Sequence, residues 1–202
     1  MLYLDLDNTI IDTVRRLDKE KELAGKYGLT AEEYMNAIHL VNERHGIGEF
    51  TLRKLFSVCN EIHPGLPEEL FAEWAEFENV QIFFPDALEF VNAFRAKDLT
   101  LLTAGNHDMQ NKKIDVHNLR PYFHEILILP SPKAINIDPP PLNSYYIDDA
   151  PREIDAMKKL FPHVMCILVR EPPPWEKVSV SKYADVYCKD LKEVLTMLKE
   201  NK

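Results

Sequence analysis

Apolar positions fall along this chain in two ways, as short unbroken runs and as longer stretches with helical spacing. Runs bounded by turn signals occur at Leu2 to Leu6, Leu99 to Thr103, Ile126 to Leu129, Tyr145 to Ile147 and Val164 to Val169. Each predicts a strand. Between them lie periodic segments. In Pro85 to Ala96, Leu88, Val91 and Phe94 share one face, and in Pro151 to Phe161, Ile154, Met157, Lys158 and Phe161 recur at helical spacing. Asp185 to Cys188 followed by Leu191 to Leu198 predicts one more short strand and a closing helix. Strands alternating with helices predict an α/β protein built on a parallel sheet.

About 90 residues separate the first run from the second, far more than a simple crossover needs. The pattern predicts a folded insertion there. Thr30 and Glu33 form a capping box ahead of a helix with Tyr34, Ile38 and Val41 on one side. Leu52, Leu55, Phe56, Cys59 and Ile62 mark a second helix, and Leu70, Phe71, Trp74 and Phe77 a third, with His63-Pro64-Gly65-Leu66-Pro67 as the break between them. The insertion therefore reads as a small helical bundle of roughly Asp12 to Gln81.

With 202 residues, 46% hydrophobic and 28% charged, the chain has the composition of a soluble domain with one sizeable core and a subdomain. No apolar run approaches the roughly 20 residues of a membrane span, and no secretory leader is evident, so the expected location is the cytoplasm with no membrane partner. The net charge of -9 and the scattered lysines argue against a nucleic acid polymer. Cys59, Cys166 and Cys188 are odd in number and far apart, which predicts buried apolar residues and neither a disulfide framework nor a zinc site.

The chemistry lies at the ends of the runs. Asp5 and Asp7 close the first, and Asp148 and Asp149 close the fourth. Ligands of α/β sheets bind outside the C-terminal strand ends, so these carboxylates are expected to face a cleft. Converging carboxylates repel one another unless a hard divalent ion such as Mg²⁺ holds them ionised together. Asp5 is a fitting nucleophile toward phosphorus, forming an acyl phosphate that divides one hard displacement into two easier ones. Asp7, on the same side of an extended chain, is placed to protonate the leaving oxygen and then deprotonate the hydrolytic water.

Taken in order, Asp5-x-Asp7-x-Thr9, Thr103, Lys133 and Asp148-Asp149 each follow a predicted strand. With Leu101-Leu102-Thr103-Ala104-Gly105-Asn106, Gln110-x-x-Lys113-Ile114 and Tyr122-Phe123, the sequence resembles the haloacid dehalogenase-like phosphohydrolase superfamily over its whole length. The resemblance implies a Rossmann-like, doubly wound parallel sheet of order 3-2-1-4-5. It implies a core of residues 1–11 and 82–202, with an α-helical cap of residues 12–81 hinged beside Asp12 and Thr13 and near Phe83 to Asp86. It also implies Mg²⁺ held by the Asp5 carboxylate, the Asp7 carbonyl and Asp149, with Asp148 a further or water-mediated ligand. Thr103, the backbone N–H groups of Ala104 and Gly105, and Lys133 would hold the phosphate, and Asp155 would orient Lys133 or a metal-bound water. Dehalogenating members lack an aspartate at the Asp7 position and transporting ATPases carry threonine there, so Asp7 points to phosphoester hydrolysis.

Lys112 and Lys113 compete with Lys133 for the phosphate, and Pro139-Pro140-Pro141 disfavours the helix that usually presents the family's lysine. Strand order favours Lys133. The expected protein is a Mg²⁺-dependent phosphomonoesterase of a small phosphorylated metabolite, monomeric or homodimeric. The competing expectations are a phosphotransferase or phosphomutase using the same intermediate, and an interaction protein that has lost turnover. Retention of both Asp5 and Asp7 weighs against the last.

Overall fold

Among the described residues the elements run β1 (Leu2–Leu4), α1 (Thr13–Gly25), α2 (Ala31–His45), α3 (Leu52–Ile62), α4 (Glu68–Phe77), α5 (Ala87–Asn92), β2 (Leu99–Ala104), α6 (His107–Val116), β3 (Glu125–Leu129), β4 (Tyr145–Asp148), α7 (Pro151–Leu160), β5 (Met165–Val169), β6 (Val186–Cys188) and α8 (Leu191–Glu200). The computed structural model describes residues 1–171, 173 and 180–200. Two units emerge from the packing: Met1–Asp12 with Phe83–Ala104 and Asn118–Lys202, and Thr13–Ile82 with Gly105–His117.

The first unit carries a parallel sheet of order β3-β2-β1-β4-β5-β6. This is the doubly wound arrangement expected from the sequence, extended by β6. Register explains the core. Leu101, Leu4, Ile147 and Ile167 lie side by side across four strands, and each is fully buried. Residues one step along turn to the opposite face, where Leu102, Tyr146, Cys166 and Leu168 pack with Ile154 and Met157 of α7. Burial on both faces explains why these strands read as continuous apolar runs instead of alternating ones.

The helix predicted over Pro85 to Ala96 is shorter, ending at Asn92, and a 3₁₀ turn occupies Ala96–Asp98. Its buried face is Ala87, Phe90 and Val91, whereas Leu88 is exposed. The apolar spacing was compatible with either phase, and Ala87 and Phe90 set the one that packs.

In the second unit, the Tyr34 and Trp74 rings meet tilted, with centroids 5.4 Å apart, and Phe56 meets Trp74 edge-on at 6.3 Å. The Thr30–Glu33 capping box is formed in both directions at the start of α2. Helix α1 was not legible in the sequence, because it buries only Arg16, Leu17 and Ala24 and leaves too thin an apolar stripe. Partly buried polar anchoring supplies what that stripe lacks: Glu20 accepts from Arg16 at 3.1 Å and from Tyr34 at 2.8 Å, and its carbonyl accepts from Trp74 at 3.2 Å. Helix α6 joins the same unit through Lys112 to Glu78 at 2.7 Å, Gln81 to the Val116 carbonyl at 2.7 Å and the Ile82 amide to His117 Nε2 at 3.0 Å. No helix of the described residues is long and apolar enough to cross a membrane.

Candidate active site

Strand pairing brings the ends of the chain's chemistry together. Leu4 pairs with Ile147, and the next amide, that of Asp5, donates to the Ile147 carbonyl at 3.0 Å. Asp5 thereby emerges from the carboxyl end of β1 beside Asp148, the last residue of β4, and Asp149, the first beyond it. Side-chain oxygens of Asp5, Asp148 and Asp149 lie within 4.8 Å of one another, and all three residues are buried.

Lys133 enters this cluster from the loop after β3. It opens a 3₁₀ turn, Lys133–Asn136, in place of the longer helix that the proline run disfavours. Its ammonium is 2.6 Å from Asp5 Oδ1 and 2.6 Å from Asp148 Oδ2, with the side chain 3% exposed. Lys112 is held instead by Glu78 in the helical unit. Burial alone would push the Lys133 ammonium toward neutrality, but Asp148 and Asp5 outweigh it and hold the proton on.

Supporting contacts decide how each carboxylate is used. Asp148 Oδ2 accepts from Lys133 and from the Tyr146 hydroxyl, and its Oδ1 accepts from the Ala150 amide at 2.8 Å. Both of its oxygens are thus committed to protein donors. Asp5 gives one oxygen to Lys133, and Asp149 gives one to Asn8 Nδ2 at 2.9 Å, which leaves each a second oxygen. Burial first, and then repulsion from Asp148 and Asp7, lifts the Asp5 carboxyl to about 7 against the opposing pull of Lys133. Asp149 is likewise raised well above the usual carboxylate range by burial, then by Asp148 and Asp5.

Glu153 on α7 does what was expected of Asp155. One of its oxygens accepts from the Lys133 amide at 2.8 Å and the other from the Ser131 hydroxyl, so the lysine's backbone is tied down as well as its ammonium. Asp155 serves elsewhere, accepting from the Lys182 amide at 3.0 Å and the Tyr183 amide at 3.2 Å. Two positions along a helix are about 200° apart, so residues 153 and 155 cannot serve one partner. Tyr146 was also missed. Its spacing of two before Asp148 on a strand, hence on the same face, was the available signal.

Asp7 is half-buried in a tight turn, Leu6 to Ile11, that follows β1. Thr103 is buried near the end of β2, two places beyond Leu101, the partner of Leu4, and Ala104 closes that strand. Gly105 opens the turn into α6 at φ +143°, where an added Cβ would stand 2.9 Å from Gln110 Nε2. The backbone conformation favours glycine there. The three cysteines are free and buried, and burial pushes the Cys59 and Cys166 thiols up to about 12, as inert apolar residues should behave.

No protein-family model matches the chain, and no curated protein matches it by sequence. Solved structures do. A protein of Burkholderia xenovorans assigned as a haloacid dehalogenase-like hydrolase superposes with a TM-score of 0.75 at 19% identity, covering 98% of this chain and 96% of that one. YfnB of Bacillus subtilis, assigned as a HAD-hydrolase and solved bound to magnesium, gives 0.68 at 17% identity over 98% and 97%. The L-2-haloacid dehalogenase of Xanthobacter autotrophicus gives 0.67 at 13% identity over 98% of each chain. The chain therefore has the haloacid dehalogenase-like fold over essentially its whole length.

Proposed function

We propose that this chain is a Mg²⁺-dependent phosphomonoesterase of the haloacid dehalogenase-like hydrolases, acting on a small soluble phosphate ester through an aspartyl-phosphate on Asp5. The observation that carries this reading is the Lys133 ammonium 2.6 Å from Asp5 inside a buried cluster of three carboxylates. A divalent ion fits that cluster. Its donors are all oxygen, the set that hard cations prefer, and Lys133 balances only one of three negative charges. Asp5, Asp149 and the Asp7 carbonyl would hold the metal, while Asp148, with both oxygens engaged, anchors Lys133. When bound, Mg²⁺ neutralises the carboxylates and attracts the incoming phosphate.

The chemistry then follows from the side chains. An Asp5 oxygen attacks phosphorus, the bond to the ester oxygen breaks, and Asp7 gives its proton to that oxygen as it leaves. Asp7, now a carboxylate, takes a proton from water; the water oxygen bonds to phosphorus and the bond to Asp5 breaks, releasing inorganic phosphate. Lys133, and the Thr103 hydroxyl with the Ala104 and Gly105 amides, stabilise charge on the phosphoryl oxygens.

The likeness to haloacid dehalogenases raises a second reading, attack by Asp5 on a halogen-bearing carbon. Halide is a weak base and leaves without a proton, so that reaction has no use for Asp7, and a carboxylate cluster would repel a haloacid anion. We therefore favour the phosphate ester. The test is phosphate release from glycerol phosphate and 4-nitrophenyl phosphate, with magnesium, with chelator, and with magnesium restored, alongside chloride release from 2-chloropropionate. Metal-dependent phosphate release with no chloride is expected. Chloride release, or phosphate release indifferent to chelation, would overturn the proposal.

Asp7→Asn supplies a sharper check. Nitrophenolate leaves readily without protonation, whereas glycerol does not. The variant is expected to lose about 10²–10⁴-fold on glycerol phosphate while keeping a first-turnover burst of nitrophenol, followed by slow release of phosphate. Equal loss of glycerol phosphate turnover and of the nitrophenol burst would remove Asp7 from the acid role.

A further inference from the structure

The turn that carries Asp7 is held from outside by a residue 163 positions beyond Asp7 in the chain, Arg170, the first residue after β5. Within the turn, the Ile10 and Ile11 amides donate to the Leu6 carbonyl at 2.9 and 3.0 Å, and Asn8, at φ +56°, donates its amide to Ile11 at 2.8 Å. One flank is fixed by the Asn8 side chain on Asp149. The other flank is the Thr9 carbonyl, which accepts from Arg170 Nη2 at 3.0 Å and from Nε at 3.3 Å.

Arg170 is itself heavily constrained. Its guanidinium pairs with Asp86 at 2.8 Å and lies over the Phe84 ring at 3.5 Å, and its side chain is 10% exposed. Asp86 uses its other oxygen to accept from the Leu191 amide at 2.6 Å, which ties the pair to the start of α8. The Arg170 backbone adopts φ +68°, a left-handed conformation uncommon outside glycine, with its amide donating to the Cys188 carbonyl at 2.8 Å. A non-glycine residue kept in this region costs free energy, and such residues persist where the surroundings over-determine them. Here the conformation turns the side chain back toward the Thr9 turn. Phe84 completes the arrangement, since its amide donates to the Ile10 carbonyl at 3.1 Å.

We propose that Arg170 is a positioning residue for Asp7: by clamping the Thr9 carbonyl with two forked donors, it sets the orientation of the turn from which Asp7 reaches the leaving group. The proposal rests on the reading of Asp7 as general acid. A guanidinium fork fixes the plane of a single carbonyl in a way that the point charge of lysine does not. A displacement of about 1 Å in a catalytic group is enough to cost about 10²-fold.

A merely structural role for Arg170 predicts equal losses on every substrate, whereas a role through the acid predicts a loss that depends on the leaving group. The experiment compares wild type, Arg170→Met and Arg170→Lys on glycerol phosphate and on the nitrophenol burst, with magnesium. Arg170→Met is expected to lose about 10- to 100-fold on glycerol phosphate and less than about 3-fold in the burst, with Arg170→Lys between it and wild type. Losses of equal size on both substrates, or none on either, would overturn the proposal. Arg170→Lys retains the charge toward Asp86 and carries the comparison if Arg170→Met does not fold. Wild type without metal-dependent phosphate release would instead remove the parent reading, an outcome visible before any variant is made.

Discussion

Asp5→Asn is expected to release phosphate at no more than about one ten-thousandth of the wild-type rate while keeping the fold. Asparagine matches aspartate in shape and still offers Lys133 an oxygen, but it has no anionic oxygen with which to attack phosphorus. The same substitution changes how stability responds to pH. Burial, then repulsion from Asp148 and Asp7, lifts the Asp5 carboxyl to about 7, whereas an unfolded aspartate titrates near 4. Between about pH 4 and 7 the metal-free folded protein therefore holds a proton that the unfolded chain has released. By linkage, Asp5 favours the folded state most below about pH 4, and that advantage is lost as pH rises toward 7, by up to about 1.4 kcal/mol per pH unit. Asp149 is raised in the same direction. In chelator, the unfolding midpoint of wild type relative to Asp5→Asn should fall between pH 4.5 and pH 8, and a gap independent of pH would contradict the assignment. Because the metal requires ionised ligands, magnesium should raise the wild-type midpoint more at pH 8 than at pH 5.5.

Lys133→Met is expected to abolish turnover and to cost about 3–5 kcal/mol of stability in the absence of metal, because it leaves three buried carboxylates without their ammonium. Removing one partner of a buried pair costs far more than removing both. Adding Asp148→Asn to Lys133→Met should therefore recover a substantial part of the loss, and a double-mutant cycle read by denaturant unfolding measures the coupling directly. Magnesium should also stabilise the single variant by supplying the missing positive charge. If Lys133→Met unfolded at the same denaturant concentration as wild type, the buried ion-pair description would be wrong.

Much of this arrangement was legible beforehand, for reasons that differ between elements. Runs such as Leu99 to Thr103 announced themselves because a strand covered on both faces has no polar side to interrupt it. That Asp5, Lys133, Asp148 and Asp149 would meet was legible because strand ends in this topology converge on one edge. At Lys133 the proline run argued against a helix and none forms: a single 3₁₀ turn held by Glu153 presents the ammonium instead. What could not be read was side-chain reach. Whether Glu153 or Asp155 faces Lys133 depends on the phase of α7 against β4 and β5. That the Arg170 guanidinium reaches Thr9 depends on one left-handed residue that nothing in its neighbours announces. Helix α1 escaped notice because partly buried hydrogen bonds to Glu20 replace the apolar stripe that marks most helices.

The central position of β1 has a kinetic corollary. This three-residue strand is flanked by β2 and β4, so Leu2 meets Leu99 on one side and Tyr145 on the other. Neither partner is local, and closing such long loops is entropically slow compared with winding helices α2 to α4. Refolding should accordingly show the helical insertion acquiring protection from hydrogen exchange first, with the strand that leads to Asp5 locking into place only when β4 docks. The carboxylate cluster, shared between the ends of β1 and β4, is therefore among the last features of the molecule to form.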